Sequence, residues 1–150
     1  MNRLSRVDMT DVEIESVRVH EVTKQHVVNL RERGGQRVLP IWIGPDQAHS
    51  IATRVAGIAS ERPLTHDLVL RLSETLGGRF ERLVIHSVTP FGEGKTNGIF
   101  IASLFVRGAD GKTSEIDCRP CDGVAIAVRT GIPMFVSTDV FERSAVLPTA

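Results

Sequence analysis

Apolar positions along this chain follow two rhythms. A two-residue alternation marks strands, whose successive side chains fall on opposite faces, and a spacing near 3.6 marks helices. Val12, Ile14, Val17 and Val19 keep the first rhythm, with a slip between 14 and 17 that reads as a bulge. Residues 26–31 read as a second strand, and Arg33-Gly34-Gly35-Gln36 as the turn that ends it. Residues 38–43 are almost wholly apolar, the pattern of a strand covered on both faces. Pro40 removes a ladder donor there and predicts an edge or a bulge. From Gly44-Pro45-Asp46 the rhythm changes, and Ala48, Ile51, Ala52 and Val55 share one helix face. After a break at 60–63, Thr65 is the expected N-cap of a second helix. Leu68, Val69, Leu72 and Leu76 are its expected core stripe, and Gly77-Gly78 its stop. Strands follow at roughly 79–88, 99–107 and 113–118, with a loop around Phe91-Gly92-Glu93-Gly94 and a turn at Asp110-Gly111. Residues 122–130 read as a short helix, apolar nearly all round and therefore buried, closed by Gly131. A strand at 133–137 and a short helix at 138–145 complete the pattern.

Runs of strands separated by runs of helices predict an α+β fold: a single compact domain with a largely antiparallel or mixed sheet and three to four helices. At 150 residues one adequate core can form. The expected organisation is a loose arm at 1–10, the domain at 11–146 and a tail at 147–150. With 18 basic and 18 acidic residues the formal net charge is zero, which argues against a bulk electrostatic grip on nucleic acid and leaves room for a local patch. Arg greatly outnumbers Lys, so such a patch would suit forked contacts to phosphate. Trp42 is the only Trp and Tyr is absent, so a base-stacking platform is sparsely supplied. The first ten residues lack the apolar run of a signal peptide, and no stretch is long enough to span a membrane. With only two cysteines, a reducing cytoplasm is the expected location.

Two segments carry the candidate chemistry, Arg62-Pro63-Leu64-Thr65-His66-Asp67 and Arg119-Pro120-Cys121-Asp122. Each runs Arg-Pro into a helix and puts an Asp in its first turn, where free N–H groups and the dipole favour negative charge. An Arg before each helix suggests an anion such as phosphate. Pairing of each Arg with an Asp accounts for the same residues by structure alone. As a hydrolytic centre, Asp67 and Asp122 would hold a divalent cation (Mg or Mn). His66 would move a proton, and Arg62 and Arg119 would hold phosphate. Cys118-Arg119-Pro120-Cys121 is a C-x-x-C at a strand-to-helix junction, but it comes late in the chain and no Trp precedes it. Two ordinary thiols are the expectation. Structural zinc is not expected, since His20, His26, His49, His66 and His86 are scattered.

Leu39-Pro40-Ile41-Trp42-Ile43-Gly44, Arg62-Pro63-Leu64-Thr65-His66-Asp67-Leu68, Ile116-Asp117-Cys118-Arg119-Pro120-Cys121-Asp122 and Ala125-Ile126-Ala127-Val128-Arg129 resemble the bifunctional nuclease domain family. The resemblance runs from about Val12 to about Ala145. It implies a compact α+β domain, homo-oligomeric assembly and a nuclease acting on DNA and RNA. The family commonly has Ser-Asp-Ala where this chain has Cys121-Asp122-Gly123, and often an acidic residue where it has Gln47. A carboxylate missing at Gln47 implies a weak or degenerate nuclease. The alternative is a non-catalytic intracellular binding or regulatory domain, with the Arg-Pro-Asp blocks structural or anion-binding.

Overall fold

The computed structural model describes residues 8–89 and 98–148. Most of the expected arm (1–7), the loop at 91–94 and the end of the tail lie outside the described residues. Seven strands form one mixed sheet in the order β3-β2-β1-β7-β4-β5-β6. The strands are β1 (Met9–Val19), β2 (His26–Glu32), β3 (Val38–Ile43), β4 (Arg79–Val88), β5 (Phe100–Arg107), β6 (Thr113–Cys118) and β7 (Met134–Ser137). Only β4 and β7 run parallel; every other pair is antiparallel. The four helices are α1 (Pro45–Val55), α2 (Thr65–Thr75), α3 (Pro120–Thr130) and α4 (Thr138–Ser144). This is a single compact α+β domain.

The slip in β1 is a register shift between Ile14 and Ser16 against β2. β3 lies at the sheet edge, so Pro40 needs no donor on its outer side. The expectation that β3 is covered on both faces holds only in part: Val38, Leu39 and Ile41 are buried, while Trp42 is 40% exposed.

α3 packs on the centre of the sheet. Val124, Ala125 and Ile126 are buried against Leu83, Ile85, Ala102 and Leu104, with Ile51 of α1 in the same core. Gly123 lets the helix approach this closely, because a Cβ there would collide with the Leu83 side chain. Helix α2 sits outside this layer, against α3. Its expected core stripe is therefore not one: Leu68, Val69, Leu72 and Leu76 are all exposed, as is Val55 at the end of α1. The periodicity that marks an amphipathic helix cannot tell which surface its apolar face will meet.

Candidate functional site

Helix starts place the chemistry. α3 begins with Arg119 as N-cap and Pro120 at the first helical position, which puts Asp122 in the first turn. At α2 the N-cap is Leu64, not Thr65, so Pro63 lies outside the helix. The Leu64 N–H donates to Asp67 Oδ2 at 2.8 Å, so the carboxylate satisfies a free donor at the helix end.

The two Arg-Pro blocks meet through His66. His66 Nε2 lies 2.8 Å from Asp122 Oδ1, and Arg119 Nε donates to Asp122 Oδ2 at 2.7 Å. On the other side of the ring, His66 Nδ1 lies 2.7 Å from Ser50 Oγ, which accepts from Arg129 Nη2 at 2.9 Å. Arg129 Nε donates to Asp67 Oδ1 at 2.7 Å, and its Nη1 to the Ala125 carbonyl at 2.9 Å. With the ring proton assigned to Nε2, every donor meets an acceptor: Arg129 to Ser50, Ser50 to His66, His66 to Asp122. Ser50 comes from α1, His66 and Asp67 from α2, and Asp122 and Arg129 from α3, so this chain of bonds ties three helices together.

Ser50, His66 and Asp122 have the composition of a nucleophilic triad without its access. Ser50 is 3% exposed, and its Oγ is already shared by His66 and Arg129. The surface end of the chain of bonds is Arg119 and Asp122, with His66 buried behind them. Burial pushes the Asp122 carboxyl up, but hydrogen bonds from Arg119 and His66 outweigh it and hold it below the usual range. Asp67 is also held low, chiefly by its hydrogen bond from Arg129 against the effect of burial. Both thiols shift the other way. Burial, with Asp122 and Asp117 nearby, pushes Cys118 up to about 12, and burial raises Cys121 too. That is the reverse of an activated redox pair.

Three of the expected site residues line two separate depressions, and His66 and Asp122 line neither. Arg119 lines an open groove of about 870 Å³ with Trp42, Ile43, Phe100, Cys121 and Arg143 on its walls. Arg62 and Asp67 line a smaller one of about 320 Å³ beside Arg129. Among the described residues Arg62 bonds to neither Asp. The two carboxylates do not form one cation site as they stand. Asp67 holds Arg129 and the Leu64 N–H, Asp122 holds Arg119 and His66, and no three ligating groups gather among the described residues. Sequence reasoning missed Ser50 and Arg129 as members of the network. The available signal was Arg129 itself, a cation in an otherwise apolar helix, which needs a buried partner.

The sequence profile of the bifunctional nuclease domain matches residues 28–148, which takes in both Arg-Pro blocks and all four helices. The chain belongs to the bifunctional nuclease domain family. It is similar to the uncharacterized proteins MT1877 and Rv1829 of Mycobacterium tuberculosis (strains CDC 1551 / Oshkosh and ATCC 25618 / H37Rv). Each is 35% identical over 139 residues, covering 93% of this chain and 78% of the relative. Among the described residues no helix is long and apolar enough to cross a membrane.

Proposed function

We propose that this bifunctional nuclease domain binds single-stranded nucleic acid in the Trp42 groove and hydrolyses its phosphodiesters at the Arg119–Asp122 end. The observation that carries this reading is the groove itself. An exposed Trp and two arginines share one open channel, the pairing that single-strand recognition uses: aromatic faces for bases, guanidinium groups for phosphates. His20 lies beside Trp42, with ring centroids 6.5 Å apart, and widens the aromatic surface.

Arg119 neutralises the phosphate. Asp122, ionised at neutral pH, orients a water and accepts its proton as the water oxygen bonds to phosphorus; the P–O bond to one sugar breaks, and that leaving oxygen takes its proton from solvent. His66 is a positioning residue that fixes the carboxylate from behind. A carboxylate held below its usual range is a weak base, so turnover is slow. Neutral net charge makes binding weak, and the contacts of Arg119 and Arg143 to phosphate make it salt-dependent. Asp122 is the carboxylate at this end that would hold a divalent cation, Mg or Mn, which would supply an activated water. The domain works in the cytoplasm, where its two thiols stay reduced. It works as a homo-oligomer, for which the exposed apolar face of α2 supplies a surface.

The test is cleavage of single- and double-stranded DNA and RNA by rigorously purified protein, with and without chelator. Wild type should cut single strands slowly, Asp122→Asn and Arg119→Ala should not, and Trp42→Ala should weaken strand binding by about 1–3 kcal/mol. Cleavage by Asp122→Asn at the wild-type rate would remove this mechanism. The second reading, a non-catalytic binding domain, draws on the same bonds: both carboxylates are already engaged by arginines, as architecture alone would arrange them. Strand binding that depends on Trp42, with no cleavage under any metal, would establish it.

A further inference from the structure

The smaller depression has a charge balance that the groove does not explain. Four arginines line it, Arg54, Arg62, Arg71 and Arg129, against two carboxylates, Glu61 and Asp67, which leaves two positive charges uncompensated. Arg129 closes the floor, its side chain 4% exposed and bonded to Asp67. The other three are exposed and make no direct side-chain hydrogen bond or ion pair among the described residues, although Arg71 is near enough to Asp67 to help lower its carboxyl. Unpaired cations on a protein surface usually point apart into solvent. These three come from separate places, the end of α1, the α1–α2 connection and the middle of α2, yet share one cavity. At about 320 Å³ it is at the small end of ligand sites, and its lining is mostly polar.

We infer that this depression, distinct from the groove, binds a phosphomonoester. The charge count selects the ligand. A phosphomonoester carries about −1.5 to −2 at pH 7, which matches the two uncompensated charges, whereas a backbone diester carries only one. Guanidinium forks match phosphate oxygens two at a time, which favours arginine over lysine at such a site. The monoester is either that of a free mononucleotide or the terminal phosphate of a strand. The inference does not need the groove to be catalytic, and its failure is read separately from that of cleavage.

The experiment is calorimetric titration of the full chain with inorganic phosphate and with adenosine 5′-monophosphate, at ionic strength fixed with chloride. Wild type should bind both saturably. Arg62→Ala/Arg71→Ala should weaken both by about tenfold or more, with its fold checked by circular dichroism. Glu61→Gln removes one opposing carboxylate and should tighten binding, a gain that damage to the fold does not produce. Single-stranded oligonucleotides with and without a 5′-phosphate separate the sources. A preference for the phosphorylated strand that disappears in the double variant assigns the pocket to strand ends. Equal affinity for the two strands, with the mononucleotide still bound, assigns it to free monoesters. No saturable phosphate binding at millimolar concentration, or the same affinity in the double variant, would overturn the inference.

Discussion

Arg129 and Asp67 are unequally buried, so breaking their ion pair from opposite sides should cost different amounts. The Arg129 side chain is 4% exposed and Asp67's is 31%. Asp67→Ala strands a guanidinium that water barely reaches and also removes the acceptor for the Leu64 N–H. Orphaning a buried charge costs about 3–5 kcal/mol, and the lower end applies here because Arg129 keeps its bonds to Ser50 and Ala125. Arg129→Met leaves a carboxylate that reaches water and still accepts from Leu64, while Met retains much of the buried stem. Its cost should be about 1–3 kcal/mol. The double variant removes both charges, so the two single costs should fail to add by about 1–3 kcal/mol. The assay is urea unfolding at pH 7, followed by circular dichroism. The pair also predicts a pH dependence. The Asp67 carboxyl is held below its ordinary range, chiefly by Arg129. Its contribution is therefore complete above the unfolded value of about 4 and is lost as pH falls through the folded one. The stability gap between wild type and Arg129→Met should shrink in acid and not between pH 6 and 8. Equal costs for the two single variants, or simple additivity, would refute the assignment of Arg129 as the deeper partner.

Four further outcomes follow from other parts of the structure. Gly123→Ala should destabilise the fold by about 1–3 kcal/mol in the same unfolding assay, since its methyl collides with the fully buried Leu83. Cys118 and Cys121 should react slowly with a thiol reagent at pH 8 in the folded protein and rapidly in urea, because burial raises both thiols. Cys121→Ser should leave fold and strand binding unchanged. Leu72→Glu/Leu76→Glu, on the exposed face of α2, should reduce the particle mass seen by light scattering to that of one chain.

The α+β class, the strand and helix positions and the β1 bulge were legible because they depend on local rhythm and on a slip within it. Which surface each element meets was not. Pro40 marked β3 as an edge strand, as it is, but residues 38–43 read as doubly covered and Trp42 is exposed, because an apolar run does not say what covers each face. The α2 stripe has the period of a core helix, but α3 already occupies the sheet centre, so α2 packs outside it. Within the site, the sequence marked His66, Asp67, Arg119 and Asp122 but not who binds whom. Arg129 lies 62 residues from Asp67, and Ser50 lies 16 from His66. No local pattern reports partners brought together by tertiary packing.

Two nearly identical local recipes end in different places for a reason that lies in the helices they open. The 119–122 block opens the central helix at the rim of the groove, so its Arg-Asp pair stays at the surface, with Arg119 lining the groove and Asp122 still partly reached by water. The 62–67 block opens an outer helix that must be fastened to that central helix. Its His and Asp therefore turn inward, toward Asp122 and Arg129. That fastening uses up Asp67 and leaves Arg62 outside it, lining a depression with Arg54 and Arg71. The carboxylate that sequence alone would assign to a metal is thus occupied by a buried arginine. The arginine that sequence alone would place beside the same phosphate as Arg119 belongs to a separate depression.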